Sequence, residues 1–180
     1  MILSASGWRK VFAQSGNEQD FSREIGDENY ALSVLAARAF AEYLCEKKGI
    51  LQPTVGVAKD TRPTGDEICR AILQALKSLE KISVRFLGVA SAPEIMAYAK
   101  SADGFIYVSA SHNPVGHNGI KFGLCDGGVL SADENAQVKE IFLREIDGVK
   151  SVSEFVKEYR EIEIEGILDL TKTHLTLTKT

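Results

Sequence analysis

Apolar positions along the chain follow two alternating rhythms. Short β-branched or aromatic runs at 54–60 (TVGVAKD), 82–88 (ISVRFLG) and 104–110 (GFIYVSA) each read as a strand. Longer segments between and around them read as helices. Residues 27–48 carry apolar side chains around most of a helix, and Gly49 stands where a C-terminal cap belongs. Thr64 and Glu67 have capping-box spacing and open a helix to about Leu79. Ser91 and Glu94 repeat that spacing, with Pro93 in the first turn, for a helix to about Ser101. Ser131 and Glu134 open another, to about Ile146. Residues 118–123 (NGIKFG) begin with an Asn-Gly turn signal and predict a fourth strand, pairing antiparallel.

Strand, helix, strand, helix, strand is the rhythm of right-handed crossovers. It predicts a three-layer α/β/α sandwich with a mixed, mainly parallel sheet of about four strands. The main domain is expected over 1–150. Residues 151–180 add an amphipathic helix and a Thr/Leu/Lys tail, which reads as a connection toward a further domain. Such sheets bind ligands at the carboxyl ends of their strands. Three loops belong there in this reading: KDTRPTG (59–65), GVASAPE (88–94) and SASHNPVGHNG (109–119).

Composition narrows the partners. The net charge of −4, from 21 basic and 25 acidic residues, argues against general nucleic-acid binding but leaves room for a local basic pocket for a small anion. Cys45, Cys69 and Cys125 form neither a close pair nor a metal-ligand spacing, and read as free thiols of a reducing compartment. The first ten residues lack the apolar core of a signal peptide, and the longest apolar stretch is interrupted by Arg38 and Glu42. The expectation is a cytoplasmic protein with no membrane partner.

The loop after the third strand holds the candidate chemistry. Ser111 ends a buried-looking strand and presents a hydroxyl. On its residues alone the loop is more simply a turn, since Ser, His, Asn and Pro all favour turns. No G-x-S-x-G elbow surrounds the serine. His112 can handle protons at neutral pH, or can simply face water. Lys121 is either a solvated strand lysine or a cation aimed back at the serine loop, brought there by the Asn118-Gly119 turn. Arg9 and Arg62 sit beside glycine- or proline-shaped backbone and suit bidentate phosphate recognition. Asp60 reads as holding Arg62 or the loop backbone.

Taken together, these pieces resemble the first domain of the α-D-phosphohexomutases, the phosphoglucomutases and phosphomannomutases. SASGWRK (4–10) resembles the T-S-G-[aliphatic]-R motif, with Ala5 and Trp8 as variants. VGVAKDTRPTG (55–65) resembles G-x-D-T-R-x-S, with Lys59 and Thr64 as variants. GVASAPE resembles the G-x-x-x-T-P turn, with Ala92 for threonine. VSASHNPVGHNGIKFG (108–123) is close to T-A-S-H-N-P-x-x-x-N-G-I-K, which is long and specific. The resemblance covers about residues 4 to 146. It implies that Ser111 carries a phosphoryl group and passes it to a hexose phosphate through a bisphosphate intermediate. It implies proton transfer or orientation for His112, an active-site cation for Lys121, and phosphate or substrate binding for Arg9, Arg62 and Asn118. It also implies Mg²⁺, with the Ser111 phosphate as one ligand.

The departures matter equally. The family's D-G-D-x-D-R metal loop, its G-E-x-S-G sugar loop and its R-x-S-G-T phosphate loop are absent from the chain. The expectation is therefore an N-terminal mutase domain, inactive alone, whose partners are hexose phosphate, hexose bisphosphate and the remaining domains of a parent enzyme. The alternative is a non-catalytic module of the same fold that binds a sugar phosphate or a protein. The sugar itself is not readable, because the residues that would read it lie in the missing loops.

Overall fold

The protein is described here from a computed structural model, which covers residues 1–165 and 167–169. In chain order the strands are β1 (Ile2–Ser4), β2 (Gly7–Val11), β3 (Thr54–Lys59), β4 (Ser83–Val89), β5 (Gly104–Val108), β6 (His117–Leu124) and β7 (Leu168–Asp169). The helices are α1 (Gly26–Glu42), α2 (Gly65–Lys77), α3 (Ala92–Tyr98), α4 (Ala132–Asp147) and α5 (Val152–Arg160). A π-helical turn, Tyr43–Lys47, extends α1, and Gly49 follows at φ 71°, so the expected cap is present. The strands form one sheet in the order β1-β2-β6-β5-β3-β4-β7. The β5-β3-β4-β7 part is parallel, and β1, β2 and β6 add antiparallel pairings.

The expected layered α/β fold is present, with more strands than the four read from the sequence. The β1–β2 hairpin escapes a pattern reading because only one face of it is apolar: Leu3 and Trp8 point to the core, while Gly7 and Arg9 face the other way. The short β7 escapes it because two residues are too few to show a period. The tail beyond it, 170–180, lies outside the described residues.

One face of the sheet packs on α1, α2, α4 and α5. Their shared core includes Val55, Val57, Ile106, Ile120 and Phe122 from the strands and nearly every inward position of α1. Trp8, fully buried, lies 4.9 Å from the Phe122 ring and 4.8 Å from Phe142, and its Nε1 donates to Asn135 Oδ1 at 2.8 Å. A buried indole needs that acceptor. The other face is covered by α3, over a smaller cluster of Ala58, Ile95, Ala99, Phe105 and Tyr107.

The segment after residue 150 joins the larger core. Val156 and Tyr159 of α5 are buried, Arg38 Nη1 donates to Tyr159 Oη at 2.5 Å, and Gln74 Nε2 donates to the carbonyls of Arg160 and Ile162. The capping boxes at Ser91–Glu94 and Ser131–Glu134 are both formed. The one expected at Thr64 is not. Thr64 is itself helical (φ −69°, ψ −13°), and its buried hydroxyl accepts a hydrogen bond from Asn118 Nδ2 instead.

Candidate active site

The loop joining β5 to β6 is where the sheet's topology turns from parallel to antiparallel pairing. Ser111 sits just past the carboxyl end of β5 with φ 56°, the one described residue other than glycine with positive φ. A Cβ-bearing residue holds that conformation only where its surroundings enforce it. Here the Ser111 N–H donates to Ser109 Oγ at 3.3 Å, and the Ser111 carbonyl accepts from Arg62 Nη2 at 2.9 Å. The Ser111 side chain is left exposed.

Arg62 braces the whole loop. Its Nη1 donates to the carbonyls of Pro114 (2.6 Å) and His117 (3.2 Å), and its Nη2 to those of Asn113 (2.6 Å) and Ser111. Its Nε lies 3.4 Å from Asp60 Oδ2, and Asp60 Oδ1 accepts the Arg62 N–H. A guanidinium has five N–H donors, and all five are directed at protein acceptors. In this structure Arg62 therefore braces the loop rather than presenting free donors to a phosphate, and the role read for Asp60, holding this arginine, fits.

Asn118 also has an internal position. It is fully buried, with Nδ2 on Thr64 Oγ1 and Oδ1 accepting the Gly119 N–H. Asn118 and Gly119 do not form a turn. They lie within β6, opposite Lys10 and Arg9 of β2. Glycine is required at 119 by crowding, because a Cβ there would stand 2.9 Å from the Ser109 carbonyl oxygen and 3.1 Å from that of Trp8. The chain actually reverses over 111–116. A further brace, not read from the sequence, is the segment after β2: the Gly116 N–H donates to the Glu18 carbonyl, and the Gly116 carbonyl accepts from Phe12 and Ala13. The signal for it was Gly116 itself, where any Cβ would strike the Asn17 carbonyl.

Lys121 does reach the serine, from the strand rather than from a turn. Its Nζ donates to Ser111 Oγ at 3.2 Å. It is half-buried, and its pKa lies below the ordinary lysine value, first because burial disfavours the ammonium and then because Arg9 is a neighbouring cation. Arg9 shares the same face of the sheet, with Nη2 on the Ser6 carbonyl at 3.1 Å. Its Nε is buried with no acceptor among the described residues. An orphaned donor on Arg9, next to a desolvated ammonium that reaches an exposed hydroxyl, makes a setting suited to an anion on that hydroxyl. His112 is exposed next to Ser111. The structure thus brings Lys121 to Ser111, places Arg9 beside Lys121, leaves His112 exposed next to Ser111 in the chain, and turns Arg62 and Asn118 inward.

This geometry can be set against known proteins. A family described as phosphoglucomutase/phosphomannomutase, alpha/beta/alpha domain I, matches residues 7–148. The chain belongs to that family. Among curated relatives, a phosphoglucosamine mutase of Clostridium botulinum is 34% identical over 137 residues, which is 75% of this chain and 30% of the relative. A phosphoglucosamine mutase of Listeria welshimeri is 41% identical over 91 residues, 49% of this chain and 20% of the relative. A crystal structure from Thermus thermophilus, described as a phosphomannomutase, superposes with a TM-score of 0.62 at 26% identity, covering 79% of this chain and 30% of that one. The chain thus matches less than a third of the length of these family members.

The donor set decides whether a divalent metal fits. No group of three or more His, Cys, Asp or Glu side chains suited to a cation occurs among the described residues. The charged group that reaches Ser111 Oγ is the Lys121 ammonium, which suits an anion and not a bare metal ion. These residues alone do not fit Mg²⁺. No helix among the described residues is long and apolar enough to cross a membrane.

Proposed function

We propose that this chain is the phosphoserine-bearing first domain of a hexose-phosphate mutase. The observation that carries the reading is the placement of Lys121 Nζ 3.2 Å from Ser111 Oγ, at a serine held with positive φ on an arginine-braced loop. In the forward half-reaction, a hydroxyl oxygen of the bound sugar phosphate attacks the phosphorus of phosphoserine 111. The new sugar O–P bond forms as the serine Oγ–P bond breaks. The sugar hydroxyl gives up its proton to a base, and Ser111 Oγ leaves and is reprotonated. The bisphosphate then returns its other phosphoryl to Ser111 by the reverse sequence. Such transfers depend on positioning and on neutralising charge. Lys121 and Arg9 supply cations to the phosphoryl oxygens, and His112, exposed beside Ser111, is the neighbouring group for proton transfer or orientation. Any metal would need carboxylates from outside this chain.

An amino sugar phosphate is the favoured substrate, because the phosphoglucosamine mutases are similar at 34–41% identity. The test is a hybrid in which residues 7–148 replace the matching domain of the Clostridium relative, assayed by coupled mutase turnover with a bisphosphate primer. The hybrid should turn over, the isolated chain should not, and Ser111→Ala should slow the hybrid by roughly 10⁶-fold, the scale of losing a covalent nucleophile. A Ser111→Ala hybrid as fast as its parent would end the proposal.

A further inference from the structure

The path that Lys121 takes to Ser111 is walled on two sides. Lys121 pairs across the β5–β6 ladder with Tyr107, and its Nζ stands 5.7 Å from the centre of the Tyr107 ring, within cation–π range. The ring is itself fixed, since Tyr107 is 5% exposed and its hydroxyl donates to the Ala90 carbonyl at 2.9 Å. That bond ties β5 to the loop that leads into α3. On the opposite side, the β1–β2 hairpin presses Gly7 against the lysine stem. A Cβ at Gly7 would stand 2.9 Å from Lys121 Cγ and 3.5 Å from Cε, and Gly7 has φ 131°, a backbone geometry that favours glycine. A lysine side chain ordinarily wanders over many rotamers, and holding it in one costs entropy. Here two rigid surfaces remove most of those rotamers before any anion arrives.

We propose that Tyr107, with Gly7 opposite, is a positioning residue that aims Lys121 at the Ser111 oxygen. The inference rests on the proposed role of Ser111 as phosphoryl carrier. Tyr107 touches neither substrate nor phosphoryl group, and acts only by restricting where the ammonium stands. The ring does this; the hydroxyl serves to hold the ring in place.

The experiment uses this chain with phosphoserine incorporated at position 111, and follows the second ionisation of the phosphate by ³¹P NMR titration. In the parent, that ionisation should fall by about one pH unit below its free value near 6, through the ammonium beside it. Lys121→Ala should return it most of the way to the free value, the remainder being the share of Arg9. Tyr107→Leu, which keeps the lysine but removes the ring, should return it most of the way. Tyr107→Phe, which keeps the ring but loses its tether to Ala90, should raise it only slightly. Gly7→Ala displaces the stem from the other side and should also raise it, which provides a second variant should Tyr107→Leu fail to fold. If Lys121→Ala leaves the titration unmoved, Lys121 is not the serine's cation and the functional reading falls together with this inference. If Lys121→Ala raises it while Tyr107→Leu and Gly7→Ala do not, the functional reading stands and the positioning role is refuted.

Discussion

The two faces of β2 and β6 are made of neighbouring residues and do opposite work. Trp8, Ile120 and Phe122 point to the helix-covered face and are almost wholly out of water. Gly7, Arg9, Gly119 and Lys121, one residue out of phase, point to the other face, where two cations stand between glycines. Strand alternation makes this division possible, since successive side chains leave the sheet in opposite directions. One face gains stability by close packing. The other gives some of it up, keeping a half-buried ammonium on Ser111 and an unsatisfied guanidinium N–H beside that ammonium. The site's cations are held by the same strands that anchor the core, so a change on one face can be measured against a change on the other.

The largest expected break in this comparison is Trp8→Ala. It removes two aromatic contacts and leaves the buried Asn135 side chain without its donor, and should cost about 3–5 kcal/mol of stability in denaturant unfolding. Arg62→Ala should come next, at about 2–3 kcal/mol, because four loop carbonyls and Asp60 lose a charged partner. Its signature is local: faster amide hydrogen exchange over 111–117 with the helices unchanged. Arg62→Lys should not restore protection, since an ammonium cannot reproduce five divergent donors.

Lys121→Ala should have a small effect on stability and of the opposite sign. The native pKa of Lys121 is held below the ordinary 10.5 by burial and by Arg9. Between the native value and 10.5 the unfolded chain binds the proton more tightly, so this group makes stability rise with pH across that interval. Lys121→Ala should flatten that rise, as read by melting temperature against pH. On the helix-covered side, the carboxylate of Glu134 is pulled down to about 2, first by Lys48 and then by the Ser131 N–H. A depressed carboxylate contributes stability that is present above its unfolded value and is lost as pH falls toward 2. Glu134→Gln should therefore remove a modest part of the acid sensitivity below about pH 4.5, the smallest effect in the series.

The helices and the central strands were legible in the sequence because their signals are local. The periodicity of α1, the boxes at Ser91 and Ser131, and the runs of β3, β4 and β5 each announce themselves within a few residues. The chemical face was legible only in part. The serine loop reads as a motif, and the approach of Lys121 to Ser111 follows from it, but the means does not. Asn118-Gly119 has the composition of a hairpin turn, yet Gly119 is glycine because neighbouring strands crowd there. Arg62 has the chemistry of a phosphate ligand, yet its donors are taken by carbonyls 49–55 residues away in sequence. Thr64 has the spacing of a cap, yet its hydroxyl faces Asn118 from a distant strand. Each misreading concerns a polar group whose partner lies far along the chain, which local pattern does not reveal. The hairpin of β1 and β2 escapes for a related reason: a strand with glycine and arginine on one face does not alternate in the usual way.

Ser111 Oγ is proposed to carry the phosphoryl group between sugar molecules. The most direct measurement is to supply the hybrid enzyme with a hexose bisphosphate labelled in its phosphates, quench during turnover, and map the label by proteolysis and mass spectrometry. The account predicts label on the peptide containing Ser111, on the serine oxygen, and its loss when unlabelled hexose monophosphate is added. Interconversion of the sugar phosphates with no label on Ser111, or with label on another residue, would contradict it.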